Sequence, residues 1–353
     1  MPPYEPLVED ATPTPTGANI GFTTPPVTVT LNSAGQHTLN WDEPLKVGDE
    51  VVEKGSLNLY TYPGGYSGAK LAIIRRVMLE IARKPNVALF QVPDSVGAFV
   101  IHALIVCNTE DSLELAFSIL NIEPRLLLQT HVGEPFSGEG NLHIVCANRR
   151  EERACQMVDI ALSNFSTEET RAFLSTQALG VFFDAPPMCW YGDSPLGYAC
   201  VFGLRKLVRK MLDTRLVSLN DDASCGRISG FYPLHAVAAN GIRNMYDFLV
   251  HDLPADLAAD KWRLTKGREA RLVALNMDGM TPVQLTAKRG MRFMFQHIMK
   301  AELTRILWVW GPVTQYQLVL DGIDSAGHGA SDVMEVLIRS DASVVTKQLI
   351  LDE

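Results

Sequence analysis

From residue 97 onward, apolar positions fall into blocks with the spacing of helices. Leu204, Leu207, Val208, Met211 and Leu212 stand three or four residues apart, which places one apolar stripe on one helix face. Ile119 and Leu120, Met157 and Leu162, Phe248 and Leu249, and Ile298 and Met299 mark the same kind of helix in four other blocks. Upstream, Leu71, Ile74, Val77, Met78 and Ile81 predict a helix over 71–83. The period then changes: Ile306 to Trp310 and Thr314 to Leu320 flank Gly311-Pro312 and predict two strands joined by a turn. Short helices are expected over 332–337 and 344–351. Residues 1–66 carry little periodicity. Val27 to Leu31 alternates like a short strand, but the Thr12-Pro13-Thr14-Pro15-Thr16-Gly17 stretch predicts a flexible Pro/Thr-rich leader, strapped in part onto the body.

A shorter apolar block framed by two turn positions precedes each amphipathic helix. Gly192-Asp193-Ser194-Pro195-Leu196-Gly197-Tyr198-Ala199-Cys200-Val201-Phe202-Gly203 is the fullest copy. Gly230 to Gly241 keeps Pro233-Leu234-His235, and Gly279 to Gly290 keeps Thr281-Pro282-Val283-Gln284. Two weaker copies run from Gly138 to Arg149, with Leu142-His143, and from Gly97 to Asn108, with Ile101-His102. The block resembles the ankyrin pattern G-x-T-P-L-H-x-A-A-x-x-G. The first glycine suits a turn that other residues adopt at a cost. Ser194 or Thr281 fits a hydroxyl N-cap, and the proline after it fits the first helical turn. The closing glycine falls just past the helix end, where a left-handed residue is wanted; Asn108 tolerates that conformation. One such helix pair cannot bury its own apolar face, so neighbours must stack. The expected fold is an all-α ankyrin solenoid of five to six repeats with long finger loops, plus a small C-terminal β-hairpin linker. Copies begin near 97, 138, 192, 230 and 279, at steps of 41, 54, 38 and 49 residues. An ankyrin repeat takes about 33, so the surplus is expected as loops, chiefly 163–189 and 252–275.

Composition narrows the picture. A hydrophobic share of 47% supports a large continuous core, and a net charge of −9 argues against nucleic-acid partners. Six cysteines without a CxxC pair suit a reducing compartment, where thiols pack as small hydrophobes. The longest apolar run, Val96 to Cys107, is about a dozen residues where a membrane span needs about 20, and the start Met1-Pro2-Pro3-Tyr4-Glu5 lacks the form of a signal peptide. Membrane attachment, if any, is expected through a region absent from this chain. The domain reading is a leader over 1–66, a repeat domain over 67–304 with a degenerate first repeat at 67–93, and a linker over 305–353.

Several segments resemble the cytosolic N-terminal region of vanilloid-type transient receptor potential (TRPV) cation channels, over about 94–353. These are Cys189-Trp190-Tyr191-Gly192-Asp193-Ser194-Pro195-Leu196, Asn244 to Leu249, Asn276 to Pro282 with Met294 to Met299, and Trp308-Val309-Trp310-Gly311-Pro312-Val313 ending at Gly322-Ile323-Asp324-Ser325. The resemblance implies six repeats with finger loops, a tetrameric calcium-permeable channel, and subunit contacts through the linker sheet and a finger. It implies a place on the cytoplasmic side of a membrane, the plasma membrane foremost. A regulatory protein on the concave face is a second implied partner. Some members bind ATP or calmodulin near the first repeats, but Gly97, Ala98, Phe99 and His102 stand here where basic residues would be needed. No ATP or other cofactor is therefore expected.

No phosphate loop, zinc spacing or nucleophile motif is present, and no catalytic residue, metal site or enzyme activity is expected. Gly138-Glu139-Gly140 reads as a repeat turn. His102, His143 and His235 recur at one repeat position and read as imidazoles bonded to backbone. Asp321 and Asp324 read as turn residues rather than a cation site. Arg205, Lys206, Arg209 and Lys210 make a basic helix face, solvated or turned to an acidic or lipid partner. Trp308, Trp310 and Tyr316 are too much aromatic surface for a two-stranded ribbon to bury. They pack either on the last repeat or at a protein interface, for which Trp262 in the 252–275 loop is a further candidate. The alternative to a channel domain is a free-standing ankyrin scaffold that binds another protein.

Overall fold

A computed structural model describes residues 97–254, 256–258, 275–320, 323 and 332–339. It also describes Phe90, Gln91, Pro93 and four short strands between Val29 and Val51. The helices expected at 71–83 and 344–351, Trp262, Asp321 and Asp324 lie outside the described residues. The chain divides into two compact units, Met1–Ser67 and Gly68–Glu353. In the first, β1 (Val29–Leu31) pairs antiparallel with β2 (His37–Leu39), and β3 (Lys46–Val47) with β4 (Glu50–Val51).

The second unit is mostly helical. Its helices are α1 (Val100–Cys107), α2 (Glu110–Ile122), α3 (Asn141–Ala147), α4 (Glu151–Asn164), α5 (Thr167–Leu174), α6 (Val181–Asp184) and α7 (Pro195–Val201). They continue with α8 (Arg205–Asp213), α9 (Pro233–Ala239), α10 (Arg243–Asp247), α11 (Pro282–Lys288), α12 (Arg292–Ile298) and α13 (Val333–Arg339). The first helices of the pairs form one row: α1 packs on α3, α3 on α7, α7 on α9, α9 on α11, and α11 on α13. On α8, Leu207, Val208, Met211 and Leu212 are buried while Arg205, Lys206 and Arg209 face out. Burial of each such apolar side chain is worth about 1.5–3 kcal/mol, and only a neighbouring pair can supply the cover.

The turn geometry recurs five times. Gly97, Gly138, Gly192, Gly230 and Gly279 open the blocks with positive φ, and Asn108, Arg149, Gly203, Gly241 and Gly290 close them the same way. The opening glycines are not equivalent. A Cβ on Gly97 would lie 1.9 Å from the Val132 carbonyl oxygen, whereas one on Gly279 meets nothing within 4 Å. Gly279→Ala is therefore expected to cost only the left-handed strain, about 1 kcal/mol. Gly97→Ala also displaces backbone and should cost roughly 3 kcal/mol or more. Urea unfolding of the two variants checks this; equal costs would refute the packing argument.

Two details depart from the sequence expectation. The 163–189 insertion is largely structured: Ser166 caps α5 by accepting from Glu169 N–H, while Glu169 reaches back to Ser166 N–H. That Ser-x-x-Glu box is a helix-start signature. Its Phe173 and Phe183 are buried. Leu162, placed in the core by spacing, is exposed; Val158 and Ala161 fill that side of α4 instead.

Candidate interaction surface

The row of helices is locked at its seams by histidines. His143 Nδ1 accepts from the N–H of Gly140, the residue before α3, at 3.1 Å, and its Nε2–H donates to the Asp193 carbonyl of the next block at 2.9 Å. The accepted bond fixes the tautomer: Nδ1 is bare, so Nε2 carries the proton. His102 is held in the same way by Phe99 N–H and the Gln129 carbonyl. His235 makes the outward bond alone, to the Met280 carbonyl at 3.0 Å. At Phe99 and Gly140, which have no hydroxyl, the ring satisfies the amide of the residue that precedes the helix; Tyr232 has no such bond. In the last block Gln284 serves instead, its Oε1 accepting from Thr281 N–H at 2.9 Å. In the third block the position is Gly197, where a Cβ would lie 2.6 Å from the Tyr191 carbonyl oxygen. There Ser194 caps α7, and the Phe231 carbonyl is met by Gly226 N–H instead of an imidazole.

Burial lowers the pKa of His143 and His235 to about 4, and His102 falls well below its usual value for the same reason. His131 stacks on His102 with ring centroids 4.3 Å apart, and its Nδ1 lies 3.4 Å from the Glu139 carboxylate. Burial drives that pair apart, His131 down to about 4 and Glu139 up to about 8, so the dry pair favours its neutral form. No group of three or more His, Cys, Asp or Glu side chains that could hold a metal occurs among the described residues. All six cysteines are free. Burial pushes the Cys107 thiol up to about 11 and Cys146 and Cys200 further up, which suits packing rather than reactivity.

The basic face of α8 is an inter-pair clasp. Lys206 and Lys210 pair with Glu152 and Asp159 on α4, both at 2.6 Å, Arg209 pairs with Asp213, and Arg205 lies over Phe248.

After α12 the chain enters the expected hairpin, β5 (Thr304–Trp310) and β6 (Val313–Leu318). Gly311, at positive φ, and Pro312 form its two-residue turn, a composition that suits a II′-type reversal. Thr304 pairs with Leu318, Ile306 with Tyr316, Trp308 with Gln315 and Trp310 with Val313, with a register shift at Leu307. That bulge flips the strand, so Thr304, Ile306, Tyr316 and Leu318 share one face, and Trp308 and Trp310 take the other. The three aromatics are thus not brought together. The first face borders a cleft of about 510 Å³ completed by Phe295, Gln296, Met299 and Lys300. Trp308, Trp310 and Tyr316 are 47%, 78% and 60% exposed. Ile306, Leu307, Val309, Val313 and Leu318 are exposed too. A contiguous apolar patch of this kind marks an interaction site far more often than a bare surface. Beyond it, α13 buries Val333, Val336 and Leu337 against α11. No described helix is long and apolar enough to cross a membrane.

No protein-family model matches the chain. Individual proteins do. The chain is 28% identical over 250 residues to transient receptor potential cation channel subfamily V member 5 of Mus musculus, covering 69% of this chain and 31% of that protein. This is a vanilloid-type sequence relationship. The rat protein of the same name gives 28% over 251 residues, with 69% and 31% covered. Human subfamily V member 4 gives 27% over 224 residues, 58% of this chain and 23% of that protein. The chain spans less than a third of the length of these TRPV relatives.

Proposed function

We propose that this chain is the cytosolic assembly and regulatory region of a TRPV-like, calcium-permeable cation-channel subunit. Its helix pairs act as an ankyrin-repeat array and its hairpin as a linker toward a membrane region. The array catalyses nothing; it binds neighbouring subunits and passes their contacts to a pore. Its place is the cytoplasmic face of the plasma membrane, within a homo- or heterotetramer. The observation that carries this reading is the exposed apolar ribbon after the last helix pair, in a chain whose relatives are channel subunits. A scaffold that binds with its helices alone has no use for such a ribbon.

Two measurements test it. The reading frame 3′ of the Glu353 codon should encode about six apolar runs of roughly 20 residues; a stop codon there would favour the scaffold. Trp310→Ala should weaken subunit assembly, read as the yield of cross-linked oligomer, while the melting temperature of the helix array stays within a few degrees, since the indole is 78% exposed. Unchanged assembly with a collapsed melting temperature would count against the assignment.

A further inference from the structure

Two arginines at the C-terminal ends of the first helices lack counter-ions. Arg289, half-buried at the end of α11, lies over Trp190 with its guanidinium carbon 3.4 Å from the ring centroid. Its Nη1–H donates to the Ala239 carbonyl at the end of α9. The backbone of Trp190 is itself held, because Asn240 Nδ2–H donates to the Trp190 carbonyl at 2.9 Å. Arg149, exposed at the end of α3, stands 5.8 Å from the centroid of Phe202. Phe202 meets Tyr191 edge-on at 5.2 Å, and Tyr191 follows Trp190 in sequence. Tyr191 and Phe202 are buried, so they form a floor beneath the surface between two guanidiniums from the second and fifth blocks.

Neither arginine has a carboxylate within ion-pair distance among the described residues. Arg125, Arg150, Arg171, Lys206, Lys210 and Arg215 each do; Arg205, over Phe248 and bonded to the Asn244 carbonyl, shares the lack but stands apart from that floor. The lack is notable in a chain with net charge −9, and more so for Arg289, whose desolvation lowers its pKa to about 10. The titratable neighbours are Cys189, which faces Arg289, Asp184 and Asp193, which act on Cys189, and Tyr191, which interacts with Arg149. A guanidinium stacked on an aromatic ring keeps its in-plane N–H edge available, and that edge matches a carboxylate bidentately. With one N–H given to Ala239, Arg289 still has four donors to offer.

We propose that this stripe is a binding site for an extended acidic polypeptide segment, with one carboxylate on the open edge of Arg289 and another on Arg149. The separation of the two cations across the intervening helix pairs calls for an extended ligand, since a single small anion can engage only one of them. The net charge of −9 argues against nucleic acid as the natural occupant. The proposal is independent of the channel reading.

The probe is a capped, fluorophore-labelled octaglutamate peptide titrated against the full chain by anisotropy, with melting curves run in parallel. The wild type should bind with an affinity that falls with salt. Arg289→Gln should weaken binding about tenfold or more, as expected for lost charge-assisted bonds. Arg289→Lys should not restore it, because the fork is gone. Arg149→Gln, on an exposed residue that leaves the fold undisturbed, should weaken binding as well and keeps the test open if the Arg289 variants unfold. Lys206→Gln, whose charge is already paired, should change nothing. Equal affinity in folded Arg289→Gln or in Arg149→Gln would overturn the proposal and leave Arg289 as a helix-end cap alone. Displacement of the peptide by an equal concentration of inorganic phosphate would overturn it in favour of a single-anion site.

Discussion

On acidification from pH 6.5 toward 4, the helix array should lose on the order of 5 kcal/mol of stability and unfold near the lower limit. The sign follows from the seam histidines. Their pKa values in the folded chain lie below the unfolded value of about 6.5, at about 4 for His143 and His235. A group depressed in this way favours the folded state fully above its unfolded pKa. The benefit drains away as pH falls through the interval down to the folded pKa. Each of the two contributes on the order of 3 kcal/mol, and His102 adds in the same direction. His131 would too, but Glu139 opposes it. A carboxyl raised to about 8 favours folding at low pH and loses that benefit as pH rises from the ordinary carboxylate range toward 8. Over the acid window His131 and Glu139 therefore largely cancel. Asp193, raised by burial, also leans against the histidines. Far-ultraviolet circular dichroism melts at half-unit steps from pH 7.5 to 4 test the balance. A melting temperature that holds level down to pH 4.5 would show that the imidazoles protonate without breaking the seams.

These seams explain what could be seen in the sequence and what could not. The recurrence of His102, His143 and His235 at one block position was enough to read them as backbone-bonded, because a ligand set has no reason to repeat at the period of a fold. Their partners were hidden. The receiving carbonyls belong to Gln129, Asp193 and Met280, which lie 27, 50 and 45 residues downstream across insertions of unequal length. The exception at Gly197 has a steric cause, the close Tyr191 carbonyl, that no periodicity reports. The mostly helical second unit and the terminal hairpin were legible from period changes alone. The shift at Leu307 was not: strict alternation puts Ile306 with Trp308 and Trp310, and one extra residue moves it to the side of Tyr316. The helix in the 163–189 insertion was legible in principle, through Ser166 and Glu169, but short elements are outweighed by the turn residues around them. The pairing of Arg289 with Trp190 joins positions 99 residues apart, which one sequence cannot reveal.

Replacing His143 separates its two tasks and gives the second large effect. His143→Leu fills much the same space but takes away the acceptor for Gly140 N–H and the donor to Asp193. The Asp193 carbonyl keeps one partner, the N–H of Ala178, so the main penalty is the amide of Gly140 left dry. An unpaired buried donor costs about 1–3 kcal/mol, and the lost bridge about 1 more, so a loss of roughly 3 kcal/mol at pH 7.5 is expected. His143→Gln is the informative companion. Gln284 shows that an amide at this position can accept the N-cap N–H, so the cap survives and only the reach to the next block is shortened. Its cost should stay near 1 kcal/mol. Neither residue titrates, so both variants should lose stability less steeply than the wild type between pH 6.5 and 4. Urea unfolding at pH 7.5 and 5 measures all four quantities. If His143→Gln proves as damaging as His143→Leu, the bond to Asp193 outweighs the cap. If both variants keep the wild-type acid slope, His143 is not among the groups that set it, and the acid sensitivity must arise at His235 and His102.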